Sequence, residues 1–397
     1  MSGKKNRRSF GRKFHRMNYT ELQQNLRNSY SFDMNFMPMK LEYVTLQSCT
    51  FNSAMQINVG NPQEENKAIF YGTEGVSDKN LNFTYPVFIP DSENAKDEAI
   101  VLLHGLNERS WNKYLSWGYT LAKNTGKSVI LFPIAFHMNR SPESWASPRH
   151  MNPYVFDRQQ LLPDTKNLTF ANVALSERLT SQPQRFFLSG YQTANDLLQL
   201  VDSIQEGDHP WMNKGATIHF FGYSISVLLL QVLLIANPEG RFNHSKFLFF
   251  CGGSVVESMH GISKYILDSK AFYRLTDFYG EEIYSRANKP GFFNELLYRT
   301  SFGEAFNAMT THKRLKKYKR NLFRKFRDQV LTISLNRDKI IPADEIEQTM
   351  RGSLIERWDF NYNYSHEIPF PYGKKRFEEI IDHTFDSLFY RISLFLA

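Results

Sequence analysis

Residues 216–236 read ATIHFFGYSISVLLLQVLLIA, and this stretch decides the fold. Ala216–Phe221 is a short apolar run bounded by a glycine, the pattern of a strand buried on both faces. Ser226–Ala236 is apolar almost throughout and reads as a buried helix. Between them lies Gly222-Tyr223-Ser224-Ile225-Ser226. A chain passing straight from strand to helix reverses so sharply that side chains two residues either side of its apex collide. Gly222 removes one side chain and Ser226 keeps the other small. The turn then lifts the Ser224 hydroxyl clear of the sheet, over a helix N-terminus whose dipole favours developing negative charge. The plainer reading is an ordinary turn with Ser226 as the N-cap of the helix.

Similar segments repeat outward along the chain. Strands are expected at Leu41–Ser48, Leu81–Ile89, Ala99–Leu103, Ser128–Ile134, Lys246–Cys251, Gln329–Leu335 and Ile355–Tyr362. Helices are expected at 111–124, Thr193–Ile204 and Lys374–Leu396. Residues 138–185 are polar, contain prolines and are weakly periodic, so a functional loop or lid is expected there. Residues 254–327 read as mainly helical and aromatic. Strands alternating with helices, several lacking polar alternation, predict an open, mostly parallel α/β sheet. Chemistry in such sheets lies beyond the carboxyl ends of the strands.

The strand ends carry the candidates. After Ala99–Leu103 comes His104-Gly105-Leu106, where a glycine lets the next amide turn into the crevice. The backbone N–H groups of Leu106 and Ile225 would then form an anion-binding pair, with His104 serving the loop. Asp338 follows Gln329–Leu335, and His366 lies in a loop 28 residues further on. Glu257, after the sixth strand, is the alternative acid. His137, Arg140 and Tyr223 are candidate substrate contacts; the first two fit equally well as partners of loop carbonyls. His219 reads as a sheet residue and His383 as a helix residue without chemistry.

The strand–His-Gly–helix at 99–122, the elbow at 216–236, the strand–Asp at 329–338 and the loop His366 resemble the α/β-hydrolase superfamily, in that order along the chain. The resemblance covers residues 80–253 and 328–397. It implies an eight-stranded, mostly parallel sheet and hydrolysis of an ester, thioester or amide through an acyl-enzyme. Carried over residue by residue, Ser224 is the nucleophile, His366 the base and Asp338 its orienting acid. The amides of Leu106 and Ile225 hold the oxyanion. The departure is Ser226, where the superfamily most often has glycine. The implied organisation is a basic tail at 1–17, a core at 40–253 and 328–397, and a helical cap inserted at 254–327. The cap aromatics suggest an apolar acyl substrate, or simply glue between helices and core.

Composition bounds the alternatives. The chain has 397 residues, 42% hydrophobic and 22% charged, with 34 Phe and 20 Tyr, too much apolar surface to remain unfolded. Its net charge is +8, yet seven cations and no acid lie in residues 1–16, so the remainder is nearly neutral. That tail is a solubilising terminus or a contact for anionic membrane or nucleic acid. A second basic segment, 313–327, has an amphipathic helical pattern whose apolar stripe should pack on the body with its lysines in water; an acidic ligand or membrane surface is the alternative. Two cysteines, Cys49 and Cys251, give no zinc spacing or disulfide framework and fit a cytoplasmic protein. No secretory leader, nucleotide motif or metal motif is visible, so no cofactor is implied. The rival reading is a non-catalytic protein of the same fold that binds through its basic segments.

Overall fold

The computed structural model describes residues 17–30, 38–55, 78–287 and 289–397. The basic tail expected at 1–17 therefore lies, apart from Met17, outside the described residues. Nine strands form one sheet: β1 (Met39–Lys40), β2 (Val44–Asn52), β3 (Asn82–Pro90), β4 (Glu98–Leu103), β5 (Ser128–Phe132), β6 (Thr217–Tyr223), β7 (Phe247–Phe250), β8 (Val330–Leu335) and β9 (Leu354–Trp358). Their order is β1-β2-β3-β5-β4-β6-β7-β8-β9. Strands β4 to β9 pair parallel; β3 runs antiparallel to both β5 and β2. The sheet exceeds the eight strands implied by the resemblance by one two-residue edge strand, β1.

The apolar runs are continuous because both faces of the sheet are covered. In β4, Ala99, Val101 and Leu103 enter one core, while Ile100 and Leu102 enter the other. Helices Gln184–Glu206 and Ile225–Ala236 cover the first face. Helices Asn112–Thr125, Glu378–Leu396 and Tyr19–Ser29 cover the second. Tyr19–Ser29 precedes residue 40, where the core was expected to open, yet it packs on the core: Tyr19 stacks on Phe385 and donates its hydroxyl proton to the Phe370 carbonyl.

Residues 138–185 are not one long loop. They contain helices Pro148–Leu161 and Val173–Ser181 and the start of Gln184–Glu206. Periodicity is weak there because Pro148–Leu161 buries only Met151 and Arg158. Arg158 is inward-facing but charged, and its guanidinium pairs with Asp268 at 2.6 Å and Glu177 at 2.7 Å. Between β7 and β8 lie five further helices, from Ser269–Asp277 to Lys316–Lys325. The Arg158–Asp268 pair joins the two helical segments to each other.

The basic helix follows its expected pattern only in part. Phe323 and Phe326 are buried, but Leu315 and Tyr318 are exposed. Lys319 is buried and donates to the carbonyls of Ala308 (2.7 Å) and Thr311 (2.6 Å). The last strand stops at Trp358, short of the expected Tyr362; Phe360 and Tyr362 instead pack in the core of the second face. Both cysteines are free and buried. Among the described residues, no helix is long and apolar enough to cross a membrane.

Candidate active site

The sheet order reverses around β4, whose successor in the chain, β5, lies on one side and β6 on the other. Ligand crevices open at such a switch point. The loop after β4 and the elbow after β6 meet there. At the elbow Ser224 has φ 62° and ψ −123°, a conformation that non-glycine residues adopt only when their surroundings enforce it. A Cβ on Gly222 would lie 2.8 Å from Leu230 Cδ1 and 3.1 Å from the Val227 nitrogen, so glycine is needed for the expected steric reason.

Ser226 does more than stay small. The helix begins at Ile225, so Ser226 is not its N-cap. Its buried hydroxyl accepts the Tyr223 N–H at 2.8 Å and donates to the Leu103 carbonyl at 3.0 Å. The serine thus ties the elbow to the end of β4, an arrangement glycine would not provide.

Three distant stretches converge on Ser224. Its Oγ lies 2.6 Å from His366 Nε2, and His366 Nδ1 lies 2.7 Å from Asp338 Oδ2. The other Asp338 oxygen accepts the amides of Ile340 (2.9 Å) and Ile341 (3.0 Å), which fixes the carboxylate plane. All three side chains are buried. A carboxylate beside Nδ1 places the imidazole proton there and turns the Nε2 lone pair towards the serine hydroxyl. Glu257 is engaged elsewhere, accepting the His312 amide. Asp338, and not Glu257, is the acid beside His366.

The amides of Leu106 and Ile225 make no hydrogen bond among the described residues. Both residues lie beside Ser224, at the end of β4 and the start of the helix. The strained turn in this loop falls at Asn107, φ 62°, rather than at Gly105. The side-chain amide of Asn107 donates to the carbonyls of Ala171 (2.8 Å) and Tyr265 (2.7 Å), tying both helical segments to the loop. His104 serves the loop as expected. Nδ1 bonds the Gly105 carbonyl at 2.8 Å, Nε2 accepts the Ile134 amide at 3.0 Å, and burial pushes its pKa down to about 3.

Two spaces meet at Leu106. One is a narrow apolar pocket of about 80 Å³ bordered by Leu106, Leu179, Ala194, Ile225, Leu228 and Phe302. The other is a wider groove that contains Ser224 and His366 and is bordered by Arg109, Lys113 and Tyr265. Of the aromatics in 254–327, Phe302 and Phe306 line the pocket; most of its wall comes from 134–194 and the elbow helix.

The three candidate substrate contacts separate. His137 does line the pocket, with Nδ1 on the Ala135 carbonyl at 3.0 Å, and burial holds its pKa well below the usual imidazole range. Arg140 does not. It is fully buried against Asp196 at 2.7 Å and donates to the carbonyls of Asn80 and Pro133, both at 3.0 Å. A guanidinium taken out of water needs that carboxylate. Tyr223 borders the groove, but its hydroxyl is engaged by the His366 carbonyl and its ring stacks on the imidazole, centroids 5.7 Å apart. It holds the histidine. His219, on β6, bonds Glu98 at the amino end of the neighbouring β4, and His383 is exposed.

The sequence reading missed a supporting network. Tyr114 Oη accepts the Gly105 amide at 2.9 Å and donates to Glu108 at 3.0 Å. Lys113 pairs with Glu108 at 2.5 Å and donates to the Glu367 carbonyl at 2.8 Å. These residues sit where a helix start joins a loop, and no periodicity marks them. Among the described residues, no group of His, Cys, Asp and Glu is placed to hold a metal ion.

The mostly parallel sheet, the strained serine elbow and the Asp and His at successive strand ends give the chain the α/β-hydrolase fold. Solved structures similar to it include carboxyl esterase 2 from the mycorrhizal fungus Tuber melanosporum, 10% identical over 94% of this chain and 97% of that one, TM-score 0.43. A thermostable esterase from Pseudomonas putida is 10% identical over 95% and 89%, TM-score 0.41. An esterase from Pyrobaculum calidifontis is 12% identical over 95% and 94%, TM-score 0.40. No curated protein matches the chain. The model of a family of unknown function, DUF6051, matches residues 17–397, and the chain belongs to that family.

Proposed function

We propose that the chain is a serine hydrolase that cleaves a carboxylic ester, or a thioester or amide, through an acyl-enzyme. The observation that carries this reading is the unbroken chain from Ser224 Oγ to His366 Nε2 (2.6 Å) and from His366 Nδ1 to Asp338 (2.7 Å). It stands on a strained elbow that turns the hydroxyl towards the crevice. Ser224 Oγ attacks the carbonyl carbon while its proton passes to His366 Nε2. The carbonyl oxygen becomes an oxyanion facing the free amides of Leu106 and Ile225, each worth about 3 kcal/mol in comparable sites. The tetrahedral adduct collapses, the proton on Nε2 goes to the leaving group, and the acyl group stays on Ser224. Water, deprotonated by the same nitrogen, then releases the acid. Asp338 stabilises the imidazolium throughout.

The apolar pocket beside both amides suits the acyl group, and the groove on the other side of Leu106 suits the leaving group. The helical segment 254–327 acts with 143–181 as the cap over both. The test is labelling by a fluorophosphonate probe, followed by hydrolysis of chromogenic esters of increasing chain length. Labelling lost in Ser224→Ala and retained in a protein lacking residues 1–16 is the expected result. A folded protein that neither labels nor turns over any ester overturns the reading.

A further inference from the structure

We propose that the groove beside Ser224 recognises an oxyanion, a carboxylate or phosphate, on the leaving-group side of the substrate, with Arg109 as its principal contact. The inference rests on the hydrolase reading for the meaning of leaving group, but the charge argument stands by itself.

Arg109 belongs to the loop that supplies the Leu106 amide, and it borders the groove that holds Ser224 and His366. Its guanidinium donates to Ser141 Oγ at 2.9 Å and to Asn107 Oδ1 at 2.8 Å, and it lies over the Trp145 ring, 5.3 Å from the centroid. Both acceptors are neutral. Nε is enclosed and without a partner. Among the described residues, no carboxylate comes within ion-pair distance of Arg109. Burial pulls its pKa down to about 10, with no acid to offset it.

Two other buried guanidiniums, Arg140 and Arg158, are treated differently. Arg140 has Asp196, and Arg158 has Asp268 and Glu177. A guanidinium withdrawn from water without a counter-charge is costly, and such residues cluster where a ligand supplies the missing charge. Two neutral struts fix the plane of the fork and leave one further N–H on each terminal nitrogen for an oxyanion, which guanidinium binds in paired hydrogen bonds.

The rest of the groove agrees in sign. Arg27 borders it too, its guanidinium over Tyr372 and, among the described residues, without a carboxylate partner. The two acids at the groove are engaged: Glu108 with Lys113 and Tyr114, Glu367 with Ser263. Among the described residues the groove thus presents three cations, Arg27, Arg109 and Lys113, against two carboxylates, of which Glu108 is paired with Lys113 and Glu367 accepts the neutral Ser263 hydroxyl. The apolar pocket across Leu106 is unsuited to an anion, and the two arginines on its border, Arg178 and Arg185, have partners of their own.

The experiment compares two esters with the same acyl group: 4-(hexanoyloxy)benzoate and the neutral 4-(hexanoyloxy)benzamide. The carboxylate ester should show kcat/KM about tenfold higher, the scale of one hydrogen bond to a charged group. The ratio should fall to near one in Arg109→Gln, stay partly raised in Arg109→Lys, and drop by a smaller factor in Arg27→Gln. A 4-(hexanoyloxy)phenyl phosphate arm separates phosphate from carboxylate. An ester carrying its carboxylate at the far end of the acyl chain should gain nothing. A ratio of one in the wild-type protein, or a ratio untouched by Arg109→Gln in folded protein, overturns the proposal. Should Arg109→Gln not fold, calorimetry of Ser224→Ala with free 4-hydroxybenzoate and 4-hydroxybenzamide decides it: equal affinity for the two overturns it. Absence of fluorophosphonate labelling together with selective benzoate binding would overturn the hydrolase reading and leave the anion site standing.

Discussion

The Lys113 ammonium donates to the main-chain carbonyl of Glu367 at 2.8 Å and pairs with Glu108 at 2.5 Å. One side chain thereby links the loop that carries Leu106 to the loop that carries His366, although 254 residues separate Lys113 from Glu367. The donor groups and the base are held in register by this strut and not by the sheet alone. Lys113→Met should therefore slow fluorophosphonate labelling of Ser224 by between about ten- and a hundredfold, the range for a slight misplacement of catalytic groups. Lys113→Arg should recover part of the loss. Labelling at the wild-type rate in Lys113→Met would show the strut to be dispensable.

Ser226→Ala should destabilise the protein by about 1–3 kcal/mol. It leaves the buried Tyr223 N–H and Leu103 carbonyl without the hydroxyl that serves both. Ser226→Gly should be no better, despite restoring the residue more usual at this turn. Urea denaturation measures both, and a glycine variant as stable as the wild type would contradict the stated role of the hydroxyl.

Gly252 should be as intolerant as the elbow glycine. A Cβ there would lie 2.5 Å from the Ser224 carbonyl and 2.6 Å from Val227 Cγ2. Gly252→Ala must push back the backbone that carries the nucleophile. Fluorophosphonate labelling of Ser224 should slow by more than tenfold, beyond any loss of folded protein seen by circular dichroism, since small displacements at the reacting atom are amplified.

Gly190 offers the opposite case. It lines the apolar pocket from within helix Gln184–Glu206, and an added Cβ meets nothing within 4 Å. Gly190→Leu should narrow the pocket and stabilise the helix by up to about 1 kcal/mol. Chain-length profiles should shift from hexanoate or longer esters towards acetate, with an unchanged or higher melting temperature. An unaltered profile would place the acyl group elsewhere.

Stability should fall on mild acidification. Burial holds His104 at about 3 and His209 and His219 at about 4, below the ordinary 6.5. The unfolded chain takes up protons near 6.5 that the folded chain refuses. Stability is therefore full above that pH, is lost as pH falls through it, and levels off near the folded values. At pH 5 each such imidazole costs about 2 kcal/mol, so urea midpoints at pH 7.5 and 5 should differ clearly. A higher midpoint at pH 5 would contradict this account.

The sequence by itself determined what depends on neighbours in the chain. A short continuous apolar run bounded by turn residues reads as a strand covered on both faces, and Gly222-Tyr223-Ser224-Ile225-Ser226 between such a strand and an apolar helix suits a sharp turn, because sterics act over a few residues. Asp338 and His366 were legible for the same reason: each directly follows a strand or its loop. Tertiary structure alone decided which of those groups meet and which charges are buried. Asp338 was chosen over Glu257, Arg140 left the crevice for Asp196, Tyr223 turned from substrate to histidine, and Arg109 was enclosed without an acid. The burial of a charge and the identity of its partner depend on residues tens to hundreds of positions away, and no local pattern carries that information.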